Sequence, residues 1–348
     1  MKKIFLSIMT VAVAAACSKS DVQYEGDLQI GFAPVARNIT KSVAGVGQDG
    51  KYDATFPTTL DLYVSANVQD QDADGDLVDG SWGTTYFKNA KFIFDRIDDN
   101  GVYEGDEPRY WPNVKSLVFA GYSNACNIDE IAANSTVTFD EENETSAINI
   151  YGYVQDNTNT AAGANDLMWF PWDKESYTKQ SNAVAAQMKH ACAWISVKVK
   201  RDGETTNDSW KLDGLKINGL YHEGDVVCGD AAADWTVSGE TAAETVFSTA
   251  GTDLSTTAEV FEDVDNNFVV IPQVPTTIDV TYSYVPQEGV DPVQEKYTGL
   301  SLKFNGNAEW ESGKHYVYTI TITATEIFVA PEVDEWDPYK GNDIVPVQ

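Results

Sequence analysis

Apolar and polar residues alternate one by one along many short stretches of this chain. The alternation is clear in residues 59–68 (TLDLYVSANV), 193–200 (AWISVKVK) and 315–323 (HYVYTITIT). In the last stretch Tyr316 and Ile320 share a face, because successive side chains of a strand point to opposite faces. Clusters of Gly, Asn, Asp and Pro separate these stretches, and helical periodicity is scarce. The pattern predicts an all-β protein built from sandwiches or barrels.

The chain is long enough for two domains. Its 348 residues correspond to a little over two units of about 150 residues, and 43% of them are hydrophobic, which suffices for packed cores. A polar stretch, SYTKQSN at 176–182, interrupts the strand pattern before it resumes. We therefore predict an N-terminal domain over 18–183, a C-terminal domain over 184–330 and a tail over 331–348.

The N-terminus has the layout of a bacterial lipoprotein signal over residues 1–17. Lys2 and Lys3 precede an apolar run over 4–16, and small residues lead directly to Cys17. Such a run is too short to span a bilayer as a mature helix and is typical of an export signal. We predict cleavage before Cys17 and attachment of lipid to this residue. Processing as an ordinary secreted protein is the alternative.

Acidic residues strongly outnumber basic ones. The formal net charge is −31, and removal of the two leader lysines changes it to −33 (−31 − 2). A protein that binds nucleic acid needs a basic surface to neutralise phosphates, so nucleic acid is excluded as a partner. Anionic membrane surfaces repel the chain as well, so attachment to a membrane would depend on the lipid.

No motif in the sequence supports catalysis or a cofactor. The chain has neither a G-x-S-x-G elbow nor a phosphate-binding glycine loop with a lysine. None of its three histidines has zinc-site spacing: His190, His222 and His315. We therefore expect no enzymatic activity and no cofactor.

Three cysteines remain besides the lipidation candidate. They show no repeated spacing, and their number is odd: Cys126, Cys192 and Cys228. A disulfide framework is therefore not predicted. We interpret them as small buried hydrophobic residues, with one disulfide and one free thiol as the alternative.

An acidic stretch, DQDADGDLVDGS, matches the start of a calcium-binding loop. Asp70, Asp72 and Asp74 would provide the hard oxygen ligands that calcium prefers. The twelfth position of such a loop is a bidentate Glu, and here it is Ser81. We interpret the stretch as an acidic loop between strands, and the three aspartates stay weak calcium candidates.

Nine tryptophans raise the possibility of a carbohydrate-binding protein with exposed aromatic platforms. Trp194 lies within a predicted strand, and RYWPN and LMWFPW are typical of strand ends packed beneath loops. A surface lipoprotein that binds glycans through exposed aromatic residues and does not polymerise is therefore the alternative hypothesis for the function.

Several segments, taken in order, resemble those of a known family. They are the leader ending at Cys17, then EPRYWPNVKSLVFAGY, NDLMWF, MKHACAWISVKV, LKINGLYHEGDV, VVIPQ, and WESGKHYVYTITIT followed by IFVAPEVDEW. Together they resemble the fimbrillins of Bacteroidota, which are type V pilin subunits and related lipoproteins. The resemblance covers nearly the whole mature chain.

The resemblance implies two tandem transthyretin-like β-sandwich domains, export as a lipoprotein and display on the outer membrane in a fimbrium. For polymerising members it implies that a trypsin-like protease cuts after a basic residue and removes the first strand. A strand of a neighbouring pilin subunit then replaces it. The implied partners are other pilin subunits, the protease, the outer membrane and a host or bacterial receptor. Adhesion or biofilm attachment is the implied function, and shaft, tip and anchor subunits all fit it.

Arg37 is the preferred cleavage point in this sequence, and Lys41 is the second. Cleavage would release a first strand over about 26–36 that carries three large apolar side chains: Leu28, Ile30 and Phe32. At about 1.5–3 kcal/mol for each side chain, their loss would destabilise the groove by roughly 5–9 kcal/mol. Unpaired strand edges would favour an added strand further.

The predicted donor strand is the tail beyond the last domain strand. Its tip offers Ile344, Val345 and Val347, while Pro331 and Asp334 argue against pairing of the preceding residues with their own sheet. The alternative is that the tail packs along its own domain.

Overall fold

The protein is described here by a computed structural model. It describes residues 28–35, 60–94, 102–125, 132–155, 166–203, 209–239, 245–247, 251–257, 259–261, 269–285, 289–303, 309–323 and 326–335. Within these ranges the chain forms 22 strands and a 3-10 turn at Ala132–Asn134, without an α-helix. No helix in the described part has the length and apolar character needed to span a membrane. The prediction of an all-β fold is confirmed.

The strands are β1 Gly31–Val35, β2 Leu62–Val68, β3 Thr84–Phe94, β4 Tyr103–Gly105, β5 Leu117–Ser123, β6 Ser135–Asp140, β7 Thr145–Val154, β8 Met168–Phe170, β9 Val184–Gln187, β10 Lys189–His190, β11 Ala193–Arg201, β12 Trp210–Asn218, β13 Glu223–Cys228, β14 Ala233–Ser238, β15 Thr245–Phe247, β16 Thr252–Asp253, β17 Glu259–Phe261, β18 Val269–Val270, β19 Thr277–Tyr284, β20 Val293–Ser301, β21 Lys314–Ile322 and β22 Ile327–Glu335.

These strands form four sheets. Sheet I has the order β10-β8-β5-β2-β3-β4-β1-β9. Sheet II has the order β17-β11-β21-β22, with β18 also paired to β11, and sheet III has the order β15-β12-β19-β20, with β16 also paired to β12. Sheet IV has the order β14-β13-β7-β6.

Sheet I curves around a core that its own strands supply. The ring of Phe32 in β1 lies 4.8 Å from that of Phe92 in β3 and 5.2 Å from that of Phe119 in β5. Residues 184–190 pair with β1 through β9 and with β8 through β10. This short segment therefore connects the two ends of the sheet.

Sheets II and III enclose a second core. The side chains of β21 that the alternating pattern placed on one face are almost fully buried in it: Tyr316, Tyr318, Ile320 and Ile322. The indole N–H of Trp310 donates to the hydroxyl of Tyr318 at 2.8 Å, and that hydroxyl donates to the carbonyl of Leu302 at 2.8 Å. The core thus satisfies the polar groups of Trp310 and Tyr318.

Sheet IV joins the two halves of the chain. Its strands β6 and β7 come from the first half, whereas the hairpin of β13 and β14 comes from the second, and β7 pairs with β13 at Ile150 and Val226. The boundary predicted between residues 183 and 184 falls directly before β9, which pairs with β1. Backbone hydrogen bonding therefore crosses that boundary at more than one place.

The last strand extends further than the sequence pattern indicated. Residues 331–335 were assigned to the tail, but they form the second half of β22, where Pro331 is opposite Tyr318 and Asp334 is opposite His315. In the hairpin between β21 and β22, the Thr323 N–H donates to the Glu326 carbonyl. From this pair onwards, hydrogen-bonded and non-hydrogen-bonded residue pairs alternate along the two strands. Pro331 then falls at a position whose nitrogen faces the free edge, so its missing N–H costs no ladder bond.

Candidate strand-exchange site

The first described strand lies inside sheet I rather than at its edge. Strand β1 pairs antiparallel with β4 at Gly31 and Phe32 and parallel with β9 over Phe32–Val35. Before the strand begins, the Ile30 N–H donates to the Arg109 carbonyl at 2.7 Å. Removal of residues 28–35 would therefore open a slot with strands on both sides.

Two side chains of this segment fill the core of sheet I. Ile30 and Phe32 are both 0% exposed. Phe32 contacts three aromatic rings of the core, of which that of Phe170 lies 6.0 Å away. Leu28, which the sequence analysis counted as a third buried side chain, is 36% exposed. It contributes mainly through its carbonyl, which accepts the Trp111 N–H at 3.1 Å.

The slot also sets steric limits on its occupant. A Cβ added to Gly31 would lie 2.7 Å from the Cγ1 atom of Val102, which is closer than packed carbon atoms approach. At the other end, β4 no longer pairs with residues after Phe32, so Pro34 pairs with β9 alone. Proline is tolerated in strands where one side lacks a hydrogen-bonding neighbour.

The residue pattern alone did not indicate this role of Pro34. Four residues of β1, Phe-Ala-Pro-Val at 32–35, have a counterpart at the other end of the chain, Ile-Val-Pro-Val at 344–347. In both segments a large apolar residue comes first, and the proline at the third position lies between two small or β-branched apolar residues. This repeat could have been found in the sequence, but its meaning depends on the structure, because only the pairing shows where a proline fits.

At the opposite end of the chain, β22 is an edge strand of sheet II. Two of its apolar side chains are exposed, Phe328 by 54% and Val333 by 42%. Ile327 and Val329 pack against the core between sheets II and III. The strand ends at Glu335, from which the remaining tail begins.

Several of the predicted site residues lie outside the described residues. They are the lipidation candidate, the two cleavage candidates and the donor positions: Cys17, Arg37, Lys41, Ile344, Val345 and Val347. Their roles stay predictions. Cys126 lies outside as well, whereas Cys192 and Cys228 are both buried. Burial raises the pKa of the Cys228 thiol, with a contribution from the nearby Asp234 carboxylate.

The acidic loop uses its carboxylates to hold its own backbone. Asp70 accepts hydrogen bonds from the hydroxyls of Thr84 at 2.6 Å and Ser81 at 2.7 Å, and Asp72 accepts the backbone N–H groups of Asp74 and Asp76 at 3.0 Å and 2.9 Å. Within the described ranges, no group of three or more acidic, histidine or cysteine side chains could hold a metal ion. The three calcium candidates are thus not brought together as ligands.

The eight tryptophans of the described part pack into the protein. Six are at most 9% exposed, namely Trp82, Trp111, Trp169, Trp172, Trp210 and Trp310. Trp194 and Trp235 are half-buried; Trp194 stacks on His315 with ring centroids 3.5 Å apart, and the Trp235 indole donates to the Ala191 carbonyl at 2.6 Å. None of the eight offers an open ring face of the kind that the glycan-binding hypothesis requires.

Comparisons with known proteins give one family match and matches to solved structures. A family model described as fimbrillin-like matches residues 44–336. A fimbrial protein of Bacteroides vulgatus is similar in structure, with a TM-score of 0.57 and 16% sequence identity over 88% of this chain and 99% of that one. The tip fimbrial protein Mfa3 of Porphyromonas gingivalis, solved with a C-terminal truncation, gives a TM-score of 0.42 and 9% identity over 88% and 100% of the two chains. No curated protein matches the chain.

Proposed function

The chain belongs to the fimbrillin-like family, and from this premise we propose that it is a structural subunit of a surface fimbrium that polymerises by strand exchange. The observation that carries the proposal is the position of β1. This strand supplies core side chains from inside sheet I, and among the described strands the next one along the chain is β2, which begins after the connecting residues 36–59. A single cut in that connection would make β1 a separate peptide.

The free energy of the vacated slot supports uptake of another strand. Ile30 and Phe32 are fully buried, and each contributes about 1.5–3 kcal/mol, so their loss would cost about 3–6 kcal/mol. This is less than the sequence analysis estimated, because Leu28 is partly exposed. The edges of β4 and β9 would also lose backbone partners. A strand from a second subunit with an apolar residue at the position of Phe32 would restore the burial at that position and the backbone pairing with β9.

The C-terminal tetrapeptide fits this slot in one register. Placed in the direction of β1, Ile344 takes the position of Phe32 and Pro346 takes that of Pro34, where only β9 pairs. A shift by two residues would put the proline at Phe32, which pairs on both sides. Asp343 would coincide with Gly31, where an added Cβ would lie 2.7 Å from the Cγ1 atom of Val102, so a donor strand that begins at Ile344 avoids this close contact.

This arrangement makes the subunit contact head-to-tail. The acceptor slot lies in sheet I, and the donor follows β22 of sheet II, so each subunit can accept one strand and donate another. Such a contact does not close on itself and propagates as a filament. We include in the proposal two β-sandwich domains with a boundary near residue 184, and the hairpin of β13 and β14 as the element that spans it.

The export route is part of the same proposal. The leader with Cys17 at its end would deliver the subunit to the outer membrane as a lipoprotein, and a trypsin-like protease would cut after Arg37. The net charge of −31 keeps an exposed protein soluble. Adhesion or biofilm attachment through a host or bacterial receptor is the function proposed for the assembled fimbrium.

Limited trypsin digestion of residues 18–348 tests the proposal. We expect an early cut after Arg37, detected by mass mapping, followed by ladders or filaments in size analysis. Lys41 and Lys51 lie in the same connection, so the combined variant Arg37→Ala, Lys41→Ala, Lys51→Ala should block both steps, whereas the matched variant Lys41→Ala alone should block neither. Ile344→Asp should be cut normally and stay monomeric, because a carboxylate cannot enter the site of Phe32. Cut wild-type protein that stays monomeric would contradict strand exchange.

A further inference from the structure

A cleft of about 740 Å³ lies where the two halves of the chain meet. One wall contains Trp169 and Lys189 of sheet I, and another contains Trp235 and its neighbours in β14. The third wall is the turn 309–314 that leads into β21. Its volume lies within the range of about 300–1,000 Å³ that is typical of ligand-binding clefts.

The chain leaves the last strand at the mouth of this cleft. Glu335, the final residue of β22, is opposite Lys314, and Lys314 lines the cleft together with Gly313. If the pairing continued by one residue, Trp336 would lie opposite Gly313. That glycine has a φ of 68° and no side chain, so it leaves room for a large neighbour across the pair.

Position 336 would lie on the face of sheet II that is opposite the core between sheets II and III. On this face the residues of β22 are exposed, namely Phe328, Ala330 and Glu332, whereas the neighbouring strands are covered. Asp334 is opposite His315, and directly opposite residues share a face. On this face of sheet II, Val317 and Ser196 are only 4% and 3% exposed, although the core between sheets II and III lies on the other side. Trp194, also on this face, packs against the cluster between the two halves.

We propose that the cleft is the docking site for the first residues of the chain's own tail, WDPYK at 336–340. In the cleft, the aromatic side chains of Trp336 and Tyr339 would lie beside the half-buried Trp235, while the other two tryptophans of the lining, Trp169 and Trp310, are buried beneath it. The segment carries one acidic and one basic side chain, and the lining is likewise mixed. Its charged residues are Lys189, Lys314, Asp234, Glu309 and Glu311.

Docking would divide the tail into an anchor and a free end. With residues 336–340 in the cleft, eight residues remain at 341–348, and they reach about 26–29 Å when fully extended. The anchor would fix the point from which this end leaves the subunit. The inference does not depend on strand exchange, because the anchor and the donor tetrapeptide are different residues.

Hydrogen exchange followed by mass spectrometry tests the docking in three chains that all begin at residue 18. One chain ends at Glu335, the second ends at Lys340 and the third is full-length. We expect the amides of the turn 309–314 to exchange at least tenfold faster in the chain ending at Glu335 than in the other two. A synthetic peptide of residues 336–340 should slow the exchange of that shortest chain.

Substitutions in the full-length chain provide the matched controls. Trp336→Ala should reproduce the fast exchange of the shortest chain, whereas Trp336→Phe should retain most of the protection. Thermal unfolding of each variant verifies that β22 is intact. Equal exchange in the chains ending at Glu335 and Lys340 would overturn the proposal. Protection that disappears on tenfold dilution would also overturn it, because the tail would then dock on a second copy. The chain ending at Lys340 lacks the donor, so these results are independent of polymerisation.

Discussion

Replacement of Phe32 by alanine should loosen β1 far more than any change at its neighbour Leu28. Phe32 is 0% exposed, and its ring lies within 4.8–6.0 Å of the rings of Phe92, Phe119 and Phe170. Truncation of a buried phenylalanine costs about 3–5 kcal/mol. If the loss destabilises only the state in which β1 is paired in sheet I, the equilibrium constant for opening of β1 rises by about 150-fold to 5,000-fold.

The assay is hydrogen exchange of the uncut chain, with separate peptides that report on β1 and on β21. In Phe32→Ala the amides of residues 28–35 should exchange faster by the factor given above, and those of β21 should change little, because it belongs to a separate core. Leu28→Ala is the matched control, since a side chain that is 36% exposed loses little burial. An effect below tenfold in Phe32→Ala, or equal effects in both variants, would refute the assignment of Phe32 as the anchor of the slot.

Three further predictions concern single residues. Gly31→Ala should also speed exchange of β1, because the new Cβ would lie 2.7 Å from a side-chain carbon; unchanged exchange would contradict the tight fit. Hydrogen bonds, the largest from the Thr84 hydroxyl, lower the pKa of Asp70 below its ordinary value of 3.8. The stability that they contribute is present above pH 3.8 and is lost as the pH falls through the lowered pKa, so exchange of the acidic loop should rise there, and Asp70→Asn should abolish this pH dependence. Trp310→Phe removes a buried hydrogen bond to Tyr318, and urea unfolding should show a loss of about 1–3 kcal/mol.

Local patterns predicted the strands well because the alternation of apolar and polar residues is a local property. The face of β21 that carries Tyr316 and Ile320 is buried as expected. The other face deviates, since Val317 is 4% exposed. This residue lies on the side of sheet II that is turned toward the first half, and no local pattern carries that information.

The end of the chain shows the same limit. Pro331 argued for an unpaired tail from residue 331, because proline cannot donate to a ladder. In β22 it occupies a position whose nitrogen faces the free edge, so the objection does not apply. A proline is tolerated in a strand when its nitrogen faces away from the paired strand. Which way the nitrogen faces is decided by the pairing within the sheet.

By itself, the sequence determined the all-β class, the family and the strongly acidic net charge, since these follow from periodicity, ordered motifs and composition. Only the tertiary structure decided that β1 lies between β4 and β9, that Leu28 stays at the surface, and that the hairpin of β13 and β14 completes a sheet of the first half. Each of these depends on pairing between residues far apart in the chain. Such pairing is set by the packing of whole sheets, so the residues of a single strand do not specify it.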